Sequence, residues 1–75
     1  MTDTERIRDI IKNSGLKYKT IASKLGLTYY GLQKKLDNKS EFKASEIKQL
    51  CEILSIKDMD VFEIFFNENV DLKST

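Results

Sequence analysis

Seven lysines, Lys12, Lys17, Lys19, Lys24, Lys34, Lys35 and Lys39, crowd into residues 12–39 of this 75-residue chain, opposed there by Asp37 alone. That segment carries +6, residues 1–11 carry −1 and residues 40–75 carry −4, so the net charge of +1 conceals a strong asymmetry. A polyanion at close range senses the local distribution rather than the total. Lysines on helix faces are usually just solvated, so the cluster gains meaning only from the frame that holds it.

Other chemistries find little to work with. The chain has no His, no Gly-rich phosphate loop and no obvious pair of acids around a pocket, so no enzyme activity is expected. Glu46, Glu52, Asp58, Asp60 and Glu63 read better as caps, ion pairs and a solvated face. A lone Cys51 makes no internal disulfide, and with no His beside it a zinc site lacks ligands. Cys51 lies on an apolar stripe and is expected to be a buried small hydrophobe rather than a redox switch. No metal and no cofactor is expected. No apolar run approaches the ~20 residues that span a bilayer, and the polar start Met1-Thr2-Asp3-Thr4-Glu5 lacks an apolar core segment. The expectation is a soluble cytoplasmic protein.

The elements that must position the basic segment follow from apolar spacing. Ile7, Ile10 and Ile11 mark one stripe of a first helix over 3–14, with Thr2 and Glu5 as a capping box and Gly15 as the stop. Tyr18 to Leu25 makes a short second helix with Ile21, Ala22 and Leu25 inward. Gly26 ends it in a positive-φ conformation that a side chain would make costly. Leu27 fills the inside of the turn, Thr28 caps a third helix, and Leu32 and Leu36 form that helix's inner side. Phe42 returns the chain to the core. A fourth helix from Ala44 to Leu54 carries Ile47, Leu50, Cys51 and Leu54, and a fifth, capped by Asp58, ends near Phe66. Residues 1–66 form one all-α domain of five short helices, and residues 67–75 are a tail without helical period.

The stretch Leu16-Lys17-Tyr18-Lys19-Thr20-Ile21-Ala22-Ser23-Lys24-Leu25-Gly26-Leu27-Thr28 resembles the helix-turn-helix of Cro and CI type repressors of temperate bacteriophages. Leu32 to Lys39, followed by Phe42-Lys43-Ala44-Ser45-Glu46-Ile47, is similar to small prophage regulators of Gram-positive hosts. The resemblance covers roughly residues 5–66. It implies a compact, five-helix, lambda-repressor-like fold, and a transcriptional regulator that binds an operator in double-stranded DNA within a bacterial cytoplasm.

Carried over position by position, the resemblance implies base contacts from Tyr29, Tyr30, Gln33 and Lys34. Gln pairs bidentately with adenine, Lys donates to guanine, and a tyrosine offers a hydroxyl and a ring face. Phosphate contacts are implied for Lys17, Tyr18 and Lys19 at the start of the second helix and for Asn38, Lys39 and Ser40 after the third. Gly31 in the third helix would let the backbone approach the sugar-phosphate wall. Lys35 departs from the pattern, standing where such motifs often carry an apolar residue.

Met59, Val61, Phe62, Ile64, Phe65 and Phe66 cannot share one stripe of a two-turn helix, so apolar surface is left for a partner. A homodimer contact through Ile64, Phe65, Val70 and Leu72 is expected, at least on DNA. A rival reading makes the chain an antirepressor, a protein-binding module that masks another phage regulator's DNA-binding surface. A plain structural or antitoxin-like interaction domain is the third.

Overall fold

The computed structural model describes residues 2–66, in which five helices follow one another in chain order without a strand among the described residues: α1 (Thr4–Ser14), α2 (Tyr18–Lys24), α3 (Tyr29–Leu36), α4 (Ala44–Leu54) and α5 (Asp58–Phe65). Each is too short to be stable alone in water, so all depend on a shared apolar interior. Ile7 and Ile11 of α1, Ile21 of α2, Leu32 and Leu36 of α3, Leu50 of α4 and Ile64 of α5 are fully buried there. Phe42 closes one side and meets Phe65 edge to face, with ring centroids 6.0 Å apart.

Local chemistry sets the helix ends. Asp3, not Thr2, caps α1: its Oδ1 accepts from the Arg6 N–H at 3.2 Å, and Gly15 ends the helix at φ 77°. The Asp3 N–H also donates to the Ile64 carbonyl at 2.7 Å, which pins the start of α1 to the end of α5. The expectation that Asp58 caps α5 is corrected in the same way. Lys57 occupies the cap position with extended backbone, and Asp58 is the first helical residue, where an acid favours the positive end of the helix dipole.

The α2–α3 joint is as tight as the sequence implies. The Gly26 N–H donates to the Ser23 carbonyl at 3.1 Å and the Leu27 N–H to the Ala22 carbonyl at 2.8 Å. Those two bonds make a Schellman ending, and Gly26 has the left-handed φ of 73° that such an ending requires. Thr28 Oγ1 then accepts the Gly31 N–H at 2.9 Å, so the cap of α3 sits two residues after the turn glycine and α3 begins at the next residue.

Lys35 is where the inner face of α3 departs from an apolar stripe, and the reason is visible. Its Nζ is buried, donating to Glu46 Oε1 at 2.8 Å and to the Glu41 carbonyl at 2.9 Å. Glu46 Oε1 also accepts the Lys43 N–H at 2.8 Å. One carboxylate thus neutralises the lysine and caps α4. Burial works to raise the pKa of Glu46, but the Lys35 and Lys43 hydrogen bonds and the two lysine charges outweigh it and hold the carboxyl below its ordinary range.

Candidate nucleic-acid interface

Because Leu32, Lys35 and Leu36 take the inner side of α3, its other residues must face outward. Tyr29 and Tyr30 are exposed, Tyr30 at 78%, and their rings stand edge to face with centroids 6.2 Å apart. Tyr30, Gln33 and Lys34 follow at i, i+3 and i+4 and share one face of the helix. Lys34 is exposed and Gln33 is half-buried. Of the six residues expected to meet phosphate, Lys17, Lys19, Asn38, Lys39 and Ser40 are exposed. Tyr18 is half-buried against the core, leaving part of its ring at the surface. Asn38 has φ 60° and holds the Schellman ending of α3, with the Lys39 N–H donating to the Lys34 carbonyl at 2.9 Å. Its backbone is therefore committed to the helix end, while the side chain donates to Thr4 Oγ1 at 3.5 Å.

Charge is partitioned across the molecule by its ion pairs. Arg6 meets Glu63 at 3.1 Å and Asp60 at 3.7 Å, so acids of α5 absorb a cation of α1. Lys35 is neutralised by Glu46. Lys12, Lys17, Lys19, Lys24, Lys34 and Lys39 are exposed and make no ion pair among the described residues. Asp37 is the one acid in the basic segment, and it is itself matched by Arg8 at 2.8 Å.

Arg8 is the residue that sequence reasoning missed. It projects from α1 across to α3, where its guanidinium donates to Asp37 Oδ1 at 2.8 Å and reaches Gln33 Oε1 from Nη1 at 3.4 Å and from Nη2 at 3.5 Å. Its Cζ also lies 6.0 Å from the centre of the Tyr18 ring. One side chain thus touches α2 and α3 together. Separations of 25 and 29 residues along the chain gave no local signal for it.

Two expectations change on inspection. A Cβ on Gly31 would meet Thr28 Oγ1 at 3.2 Å and Leu27 Cβ at 3.8 Å. The missing side chain thus makes room for the capping hydroxyl inside the turn, a reason for glycine that lies within the chain itself. Ile64 and Phe65, expected at a dimer contact, are buried in the core of the single chain and unavailable to a partner. The exposed apolar side chains of this region are Met59, Phe62 and Phe66. Val70 and Leu72 lie outside the described residues.

Elsewhere, α4 and α5 frame an open groove of about 410 Å³ lined by residues including Ile47, Cys51, Ile56 and Val61. Cys51 is half-buried there, and burial, then the charges of Asp58 and Glu52, push its thiol pKa up, away from reactivity. No three potential metal ligands gather among the described residues. No helix among them is long and apolar enough to cross a membrane.

The pattern of a protein family described as "Protein of unknown function (DUF739)" matches residues 4–68. The chain belongs to that family. The DUF739 match spans all five helices, so the α2–α3 joint, the Arg8 bridge and the Lys35–Glu46 pair all lie within the family's extent. No curated protein and no solved structure matches the chain.

Proposed function

We propose that this protein is a sequence-specific regulator that binds double-stranded DNA, with α2 and α3 as a helix-turn-helix whose second helix enters the major groove. The observation that carries the reading is the outer face of α3. It presents Tyr29, Tyr30, Gln33 and Lys34 beyond the sharp Gly26 turn, with exposed lysines without ion pairs among the described residues on both sides. The groove is wide enough for one helix, and base edges there are read by the donors and acceptors that α3 offers. Lys17 and Lys19 before the turn, and Lys39 with Ser40 after α3, suit the phosphates that flank a groove-bound helix. The resemblance to Cro and CI type phage repressors supports the same reading, and operator binding that excludes polymerase from a promoter is the action it implies.

A second copy completes the proposal. Met59 and Phe62 of α5 and Phe66 at its C-terminal cap, spaced i, i+3 and i+7, are 79%, 68% and 48% exposed. Such a stripe suits contact between two copies on half-sites ~34 Å apart.

Selection of bound duplexes from a random pool, followed by titration against salt, tests the reading. A recovered motif is expected. With Lys17, Lys19 and Lys39 on phosphates, log K should fall with log salt at a slope of about −3 per copy. Absence of binding at low salt, together with copurification of a basic regulator protein, would replace this reading by the antirepressor, which the acids of α5 favour.

A further inference from the structure

The Arg8 bridge bears on which base Gln33 reads, an inference that rests on the DNA-binding reading above. A glutamine amide has two faces: a carbonyl oxygen that accepts and an NH2 that donates. Reading adenine bidentately uses both at once, with Oε1 accepting from N6 and Nε2 donating to N7. In this protein Oε1 faces the Arg8 guanidinium, reached by Nη1 at 3.4 Å and Nη2 at 3.5 Å. These are long bonds, so polarity rather than bond strength fixes the orientation. A guanidinium carries only donors, and turning the amide over would point N–H groups at N–H groups beside a full positive charge.

Arg8 is itself held from two sides. Nη2 donates to Asp37 Oδ1 at 2.8 Å, a short charge-assisted bond, and the Tyr18 ring lies 6.0 Å from Cζ. The guanidinium is therefore a fixed part of the surface, and Gln33 Nε2, which has no partner among the described residues, is left to present two donors. Oε1 is turned toward both terminal nitrogens of Arg8, so the acceptor half of the adenine contact is engaged by the guanidinium.

We propose that Arg8 is a specificity-determining positioning residue that makes Gln33 a donor-only reader, selecting guanine, whose N7 and O6 are both acceptors, over adenine. Arg8 needs no base contact of its own to do this. Asp37 is the second part of the device, because it anchors the guanidinium that turns the amide.

The test compares duplexes selected from one random pool by the wild type, Arg8→Met, Arg8→Lys, Asp37→Asn and Gln33→Ala, each first shown to be folded by its circular dichroism and thermal melt. Gln33→Ala identifies the base pair that Gln33 reads, as the position where preference disappears. At that position the wild type is expected to prefer guanine over adenine by roughly fivefold to a hundredfold. Arg8→Met should shift the preference toward adenine there and leave the other positions unchanged. Arg8→Lys, which keeps a donor-only group, should retain guanine. Asp37→Asn, which keeps the guanidinium but loosens it, should fall between, and it serves in place of Arg8→Met if that variant does not fold.

A wild-type preference for adenine overturns the proposal, as does an Arg8→Met variant that keeps guanine and merely binds more weakly at every sequence. Either result leaves DNA binding intact. Failure of the wild type to select any duplex overturns the DNA-binding reading itself, and this inference with it.

Discussion

Lys35 and Glu46, eleven residues apart, form a buried pair in which Nζ donates to Oε1 at 2.8 Å across the loop between α3 and α4. Removing one member leaves the other uncompensated in the interior, which costs about 3–5 kcal/mol. Glu46→Ala should therefore lower the stability of the fold by that order, measured by urea unfolding near neutral pH. Replacing both residues, as in Lys35→Met with Glu46→Leu, should recover most of the loss, because an apolar pair needs no charge neutralised.

The same pair sets a pH dependence. The folded state holds the Glu46 carboxyl below its ordinary range. Folding thus favours the ionised form, and its contribution is fully present above the unfolded value of about 4.3. It is lost as pH falls through the lower, folded value. Unfolding free energies measured from pH 6 downward should decline more steeply in the wild type than in Glu46→Gln, with the two curves converging below about pH 4.5. Parallel curves would mean that the carboxyl is not tied to Lys35 in solution.

At the scale of elements, the α2–α3 joint was the most legible part of the chain, because each of its requirements is local. A positive φ asks for Gly26, a small crossing residue for Ala22, and a helix start for Thr28. Gly31 was harder to read, since its reason is a contact with Thr28 rather than a backbone conformation. The two glycines should therefore respond differently to alanine. At Gly26 a Cβ meets nothing within 4 Å, so Gly26→Ala pays only for the left-handed backbone, about 1–2 kcal/mol. At Gly31 the gain in helix propensity of about 1 kcal/mol opposes a 3.2 Å contact with the capping hydroxyl. Gly31→Ala should be close to neutral, within about 0.5 kcal/mol, and calorimetric melts of the two variants separate the cases. A Gly31→Ala loss as large as that at Gly26 would show that Thr28 cannot yield.

α5 shows where periodicity alone fails. Val61, Ile64 and Phe65 form one stripe and Met59, Phe62 and Phe66 another, and both are apolar. A pattern with two apolar stripes fits two rotations of a helix equally well. The sequence thus indicated that a surplus existed but not which side carried it. The hydrogen bond from Asp3 to the Ile64 carbonyl and the contact of Phe65 with Phe42 select the rotation. Neither partner is a neighbour in sequence.

Across the whole molecule, the two halves of the charge asymmetry have different fates. The acids of α5 are partly consumed by Arg6, while six lysines of the basic segment stay exposed and make no ion pair among the described residues. Exposed and unmatched positive charge of this kind favours attraction to a polyanion, and the apolar stripe of α5 is left for a different contact. That stripe is small. Met59, Phe62 and Phe66 together offer on the order of 400 Å² per copy, about 800 Å² for a symmetric pair, short of the ~1,200 Å² at which specific complexes become stable. The free protein should then sediment as a monomer at micromolar concentration and, on the proposed DNA-binding reading, associate only where DNA holds two copies side by side. Phe62→Ser isolates this term, because a side chain already 68% exposed contributes little to folding. The variant should melt within a degree or two of the wild type and bind a single half-site equally well, yet lose cooperativity on a paired site. A tenfold loss there corresponds to about 1.4 kcal/mol of contact between copies. Unchanged cooperativity in Phe62→Ser would move the contact away from α5, and a stable dimer in the absence of DNA would require an interface larger than this stripe provides.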